Sequence, residues 1–197
     1  MTDRPAGKTY ADAGVDLDAA ASVKSTIKDI ATETLSGAVV TGPGGFGGVI
    51  DPDPAGDMLL VASSDGVGTK LRIAGALGGH DTIGASIVNH CINDILPAGA
   101  RPLFFLDYIG LSRFDPDKIA KIVSGLAKAC GAAGCALLGG ETATMPDIYH
   151  NDDYDLAGFI VGTVRKDALL RPENTQEGDV ILALASDGLH TNGYSLV

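Results

Sequence analysis

Short aliphatic runs bounded by turn formers alternate along this chain with stretches whose apolar residues recur at helical spacing. That alternation limits the fold more than any other feature. The runs Met58–Ser63, Pro102–Ile109, Cys135–Leu138, Leu156–Val164 and Val180–Ala185 read as strands, and Gly158 and Gly162 suggest a bend or bulge in the fourth. Between them, Asp16–Leu35 reads as a helix with Asp16 and Asp18 in its first turn and Val23, Ile27, Ile30 and Ala31 on one face. A second helix begins at Asp81, aligns Ile83, Ile87, Cys91 and Ile95, and stops near Pro97. A third spans Asp115–Ala133, with Asp115 as N-cap, Pro116 in first position and Gly134 beyond its end. Strands that alternate with helices predict an α/β or α+β domain built on a mixed sheet.

A chain of 197 residues holds one domain of ordinary size, or one domain and the start of another. The polar stretch Glu173–Gly178 marks a possible boundary, and Thr191–Val197 reads as a helix just starting, so the chain is expected to stop short of a complete second domain. No apolar run approaches the roughly 20 residues that span a bilayer, and Met1–Pro5 does not read as a secretory signal. Cys91, Cys130 and Cys135 lack metal-ligand spacing and fit buried thiols in a reducing cytoplasm. A net charge of −11 disfavours nucleic acid, which needs many cations to neutralise its phosphates. It does not disfavour a nucleotide, since divalent cations can sit between carboxylates and a triphosphate.

Several loops carry the groups for that chemistry. Asp65-Gly-Val-Gly-Thr-Lys70 follows an apolar run; its glycines free main-chain N–H groups to face an anion, Lys70 adds a countercharge, and Asp65 can hold a metal. The alternative is a plain Asp-Gly turn. Gly139-Gly-Glu-Thr142 repeats the pattern after the Cys135 run, with Glu141 as its acid. Asp187-Gly-Leu-His190-Thr-Asn-Gly193 adds an imidazole able to act as general acid or base near neutrality. Asp94, beside Asn93, falls at the edge of an apolar helix face, where a carboxylate is costly unless it is paired, metal-bound or reaches solvent. Gly42-Pro-Gly-Gly-Phe-Gly47 matches a dinucleotide fingerprint but is followed by Pro52 and Pro54 rather than a helix, so it reads as a flap or connector. His80, His90 and His150 have no such company and read as surface or packing residues.

Read in order, Tyr10–Asp16, Gly44-Gly-Phe-Gly47, Asp65–Lys70, His80–Gly84, Asn93–Ile95, Pro102–Tyr108, Gly139–Ala143, Asp155–Phe159 and Gly188–Leu196 resemble the phosphoribosylformylglycinamidine cyclo-ligases, or aminoimidazole ribonucleotide synthetases. The resemblance implies a mixed sheet with helices on one face, in homodimers whose strands close a shared barrel. It places an ATP-binding and dimerisation domain over residues 1–170 and the start of a second domain over 171–197. It implies ATP-dependent ring closure of formylglycinamidine ribonucleotide with Mg²⁺, an activity this chain is not expected to sustain alone. Carried over by motif, Asp65, Asp94 and Glu141 are metal candidates. Asp65, Gly66, Val67, Gly68, Thr69, Lys70, Asn93, Gly139, Gly140 and Thr142 are ATP or phosphate candidates, and Lys28, Asp94 and His190 are catalytic candidates. The chain departs from the family pattern at Thr144, Arg101, Pro97 and Asp187, the last resembling the thiamine-monophosphate kinases. The alternatives are a sister phosphotransferase or a non-catalytic nucleotide-binding and dimerisation module.

Overall fold

The computed structural model describes residues 8–197, so the Met1–Pro5 reading lies outside the described residues. Its centre is a six-stranded mixed sheet of β1 (Val39–Thr41), β2 (Gly48–Ile50), β3 (Met58–Gly66), β4 (Arg101–Leu111), β5 (Ala136–Thr144) and β6 (Tyr154–Arg165). The strand order is β1-β2-β3-β6-β4-β5, and among the described residues the sheet stays open. Of the described strand pairs, only β4 and β5 run parallel, joined by α4 (Pro116–Ala132) as a crossover. The expected class is therefore what the chain adopts. No described helix is long and apolar enough to cross a membrane.

Helix α3 (His80–Ile95) and α4 cover one face of the sheet. The Ile83, Ile87, Cys91 and Ile95 stripe read from the sequence is fully buried, against Phe105, Leu156 and Ile160 of the sheet and Ile122 and Leu126 of α4. Each such side chain contributes about 1.5–3 kcal/mol on burial. Asp115 caps α4 as expected, its Oδ1 accepting from the Lys118 N–H at 3.0 Å. The opposite sheet face is bare, with Leu106 and Phe159 exposed.

Two glycine pairs set the distances. A Cβ on Gly84 would overlap the Ile122 carbonyl oxygen, and one on Gly125 would overlap that of Asp81, so α3 and α4 touch backbone to backbone. Gly158 and Gly162 do not bulge β6. Its register with β3 runs through both positions, and the irregularity lies in β4, between Pro102 and Phe104. They are glycines because Phe105, Ile87 and Cys91 fill the space over Gly158, while Ile95 and the Arg101 carbonyl fill it over Gly162.

Other expectations fail for identifiable reasons. β1, β2 and α2 (Lys70–Leu77) are too short, or too interrupted by glycine, to give a periodic signal. Helix α1 (Leu17–Thr32) forms with Asp16 as its cap, yet Val23, Ile27 and Ile30 are exposed. The Val180–Ala185 run forms no strand, because no described strand pairs with it, and Val180, Ile181, Leu182 and Leu184 are 82–99% exposed. The Gly139–Thr142 stretch lies within β5 rather than after it. The start of a helix at Thr191–Val197 is limited to turns, with the Leu196 N–H donating to the Gly193 carbonyl at 3.0 Å.

All three cysteines are buried and free, and burial pushes the Cys91 and Cys130 thiols up to about 12. Asp107 is buried on the helix-covered face beside Gly140, and burial raises its carboxyl pKa, partly offset by a backbone N–H.

Two measurements check this packing. Gly125→Ala should destabilise the fold by about 2–3 kcal/mol in urea unfolding, because backbone must move to admit the methyl group. For Asp107, a folded pKa above the ordinary 3.8 means its stability contribution is fully present below that value and is lost as pH rises through the raised one. Asp107→Asn should therefore unfold at higher urea than the parent at neutral pH, with the gap closing as pH falls toward about 4.

Candidate functional site

Asp65 and Gly66 are the last two residues of β3, paired with Gly158 and Ala157 of β6. The chain then turns: the Val67 N–H donates to the Leu156 carbonyl at 3.0 Å, and Gly68 takes a left-handed φ of 70° that a side chain would resist. Thr69 starts α2, and Lys70 is its first residue. The Asp65–Lys70 loop is thus a strand end feeding a helix start rather than a hairpin turn. The Gly66 N–H donates to Asp65 Oδ1 at 2.7 Å, which leaves Oδ2 facing helix α3.

There it meets a residue that has no company in the sequence. His90 Nε2 lies 2.5 Å from Asp65 Oδ2, so His90, expected at the surface or in packing, packs against the carboxylate of this loop. His90 and Asp94 are four positions apart on α3 and so share a face. One ligand atom each from Asp65, His90 and Asp94 lies within 4.8 Å of the other two. The i, i+4 spacing of an imidazole and a carboxylate is the signal available in the sequence; what hides it is that its third partner comes from a different element. The Ser63 hydroxyl lies 2.8 Å from both Asp94 Oδ2 and the Phe46 carbonyl, so its single proton can go to either. Two carboxylates and an imidazole at these separations fit a divalent cation.

Lys70 donates to Ser86 Oγ at 3.1 Å and to the His190 carbonyl at 2.6 Å, and it lies 5.6 Å from the centre of the Tyr194 ring. Burial lowers its pKa. With a 2.6 Å contact between the Thr69 and Ser195 hydroxyls, this folds the last residues back over the start of α2. Between that segment and the polar face of α3 is a cleft of about 680 Å³, into which Lys70, His90, Asn93, Asp94 and His190 are gathered. The His190 imidazole is exposed, and it is the His190 backbone carbonyl that binds Lys70.

A second cleft, of about 700 Å³, lies on the other side of Asp94, bounded by the glycine-rich segment and Lys28. The Lys28 ammonium runs along Gly44, 3.8 Å from where a Cβ would sit. Gly42–Gly47 accordingly arches between β1 and β2 beside Asp94 rather than opening a helix, as expected of a flap or connector. Gly139, Gly140, Glu141 and Thr142 are not brought to this place. Glu141 pairs with Tyr108, which pairs with Ala157, which pairs with Gly66, so it stands three strands away, about 14 Å. Strand-end logic groups the two loops; the strand order, which the sequence does not reveal, separates them. His80 bonds the buried Tyr154 hydroxyl at 3.1 Å, a packing role as expected.

A strand end, a glycine turn and an acidic helix face thus meet on an open mixed sheet. Residues 38–164 match the family described as AIR synthase related protein, N-terminal domain, and the chain belongs to it. Among solved structures, the chain is similar to tt0281 from Thermus thermophilus, with 22% identity, TM-score 0.54, and coverage of 72% of this chain and 43% of that one. It is similar to AaThiL complexed with AMPPCP and TMP, at 15% identity and TM-score 0.52, covering 70% and 40%. It is also similar to T. maritima PurL complexed with ATP, at 16% identity and TM-score 0.51, covering 71% and 23%. At these identities the likeness concerns the fold, and the chain spans less than half the length of each of these structures.

Lys70→Met should release the terminal segment while leaving the sheet intact. Limited proteolysis should cut within residues 187–197 faster in the variant than in the parent, with an unchanged urea midpoint.

Proposed function

We propose that this chain carries the metal–nucleotide site of an ATP-dependent cyclo-ligase that closes the imidazole ring of formylglycinamidine ribonucleotide. The observation that carries the reading is the convergence of Asp65 and Asp94 on one cleft with Lys70. The ATP and AMPPCP bound by the fold neighbours support it. In this reading, Asp65 and Asp94 would hold Mg²⁺, which would supply countercharge to the triphosphate. Lys70 and the Gly66–Gly68 backbone, with Val67, Thr69 and Asn93 beside them, bind the phosphates. Lys28 approaches from the glycine-rich side, and His190 serves as acid, base or phosphate contact. The γ-phosphoryl group passes to the formyl amide oxygen, leaving ADP. The amidine-side nitrogen then attacks the formyl carbon and gives up its proton, and the C–O bond breaks to release the oxygen as phosphate. The Gly139–Thr142 stretch stands apart from this pair and is assigned no part in it.

The same reading has the chain pair with a second copy in the cytoplasm, with the bare sheet face carrying Leu106 and Phe159 turned inward to complete a barrel. One observation favours a second reading. Ser186-Asp187-Gly188-Leu189 resembles the corresponding string of the thiamine-monophosphate kinases, which would make the protein a sister phosphotransferase.

Calorimetric titration of the 197-residue chain with AMPPCP, with and without Mg²⁺, tests the site. Binding should require Mg²⁺ and weaken at least about tenfold in Asp65→Ala and in Asp94→Ala. A folded chain that binds no AMPPCP in either condition would mean that these 197 residues do not form the nucleotide site by themselves and act as a scaffold.

A further inference from the structure

We propose that His90 is a nitrogen ligand of the cation site formed by Asp65 and Asp94, and that it biases that site toward a first-row transition ion such as Mn²⁺ or Co²⁺ over Mg²⁺. The inference rests on reading the Asp65–Asp94 pair as a cation site, and it adds the chemical class of the cation.

Three features of the site support it. First, the donors are convergent. Two come from adjacent turns of α3 and one from the end of β3, so the set is fixed by packed elements rather than by a loop. Second, both carboxylates are already oriented. Asp65 Oδ1 is held by the Gly66 N–H, which presents Oδ2, and Asp94 Oδ2 is held within 2.8 Å of the Ser63 hydroxyl. Outer hydrogen bonds of this kind set ligand direction in metal sites. Third, the charges do not balance among the protein groups. Two carboxylates within 4.8 Å of each other repel, and one imidazole can pair with only one of them. A dication held by all three balances both.

The 2.5 Å contact between His90 Nε2 and Asp65 Oδ2 is a hydrogen bond. Ligand atoms around one small ion stand about 3 Å apart, so admitting a cation requires the pair to part by only about half an ångström. The His90 side chain is 16% exposed and that of Asp65 40%, which leaves an entry path from the cleft. Mg²⁺ prefers oxygen donors and keeps much of its water, whereas an imidazole nitrogen raises affinity along the first-row series from Mn²⁺ to Cu²⁺. Exchanging an oxygen or water ligand for His90 therefore shifts preference away from Mg²⁺.

The test uses the full chain and the metal alone. Mn²⁺ is titrated in by electron paramagnetic resonance, Mg²⁺ is added as competitor, and nitrogen hyperfine modulation is read on the bound Mn²⁺. The expected result is modulation from one imidazole nitrogen, lost in His90→Ala and in His90→Gln. Mn²⁺ affinity should fall about tenfold or more in both variants, with Mg²⁺ affinity changing less than about threefold. Absence of Mn²⁺ binding, binding without nitrogen modulation, or an equal loss for both ions would each overturn the proposal. The wild-type spectrum decides the ligand even where a variant folds poorly. AMPPCP binding in Mg²⁺ without nitrogen coupling in Mn²⁺ sinks this inference alone. Nitrogen coupling without AMPPCP binding sinks the nucleotide reading alone.

Discussion

Helix α3 approaches both of its neighbours more closely than ordinary side chains permit, and the rest of the arrangement hangs on that approach. Toward α4 it meets Gly125 and offers Gly84; toward the sheet it lowers Ile87, Cys91 and Ile95 onto Gly158 and Gly162. Each missing Cβ removes an obstacle that would otherwise hold α3 away. Because the buried stripe of α3 is seated this deeply, the adjacent face carrying His90 and Asp94 reaches the level of the β3 end. There Asp65 stands in hydrogen-bond contact with His90. Core packing and site geometry are thus one constraint seen from opposite sides of a helix.

The electrostatics of the site follow from where charge is placed in an acidic chain. With a net charge of −11, a further cluster of carboxylates is stable only if it is solvated, paired or metal-bound. Asp65 and Asp94 use a mixture of these, through His90, Ser63 and the open cleft. Lys70 lies near them but does not pair with them. It is turned to a serine hydroxyl and a backbone carbonyl, with its charge partly desolvated. A cation so placed, near the carboxylates and not neutralised by them, remains available to an anion entering the cleft.

Much of this is legible from residue patterns alone. The stripe of α3, the cap of α4 and the strand cores carry signals within one element, where period and capping chemistry apply directly. Asp65 and Lys70 announce themselves for a related reason, since glycine next to charge after an apolar run is locally readable, and Asp94 does so as a carboxylate at the edge of an apolar helix face. What is not legible depends on contacts between elements. His90 looks idle until Asp65 is folded beside it. Glu141 looks equivalent to Asp65 until strand order puts β6 and β4 between them. Gly158 and Gly162 look like kinks until the helix above them is in place. The Val180–Ala185 run has strand composition but pairs with no described strand, and composition cannot supply a partner.

That last segment has a colloidal consequence. Val180-Ile-Leu-Ala-Leu-Ala185 is six residues without charge, proline or glycine, and its side chains face solvent. Its unpaired backbone is a template on which an identical segment of another molecule can lie in register. The surplus of negative charge keeps molecules apart at neutral pH, while acid or high salt removes that repulsion. An uncharged ribbon of this kind favours self-association wherever that repulsion is removed, however tightly the core is packed.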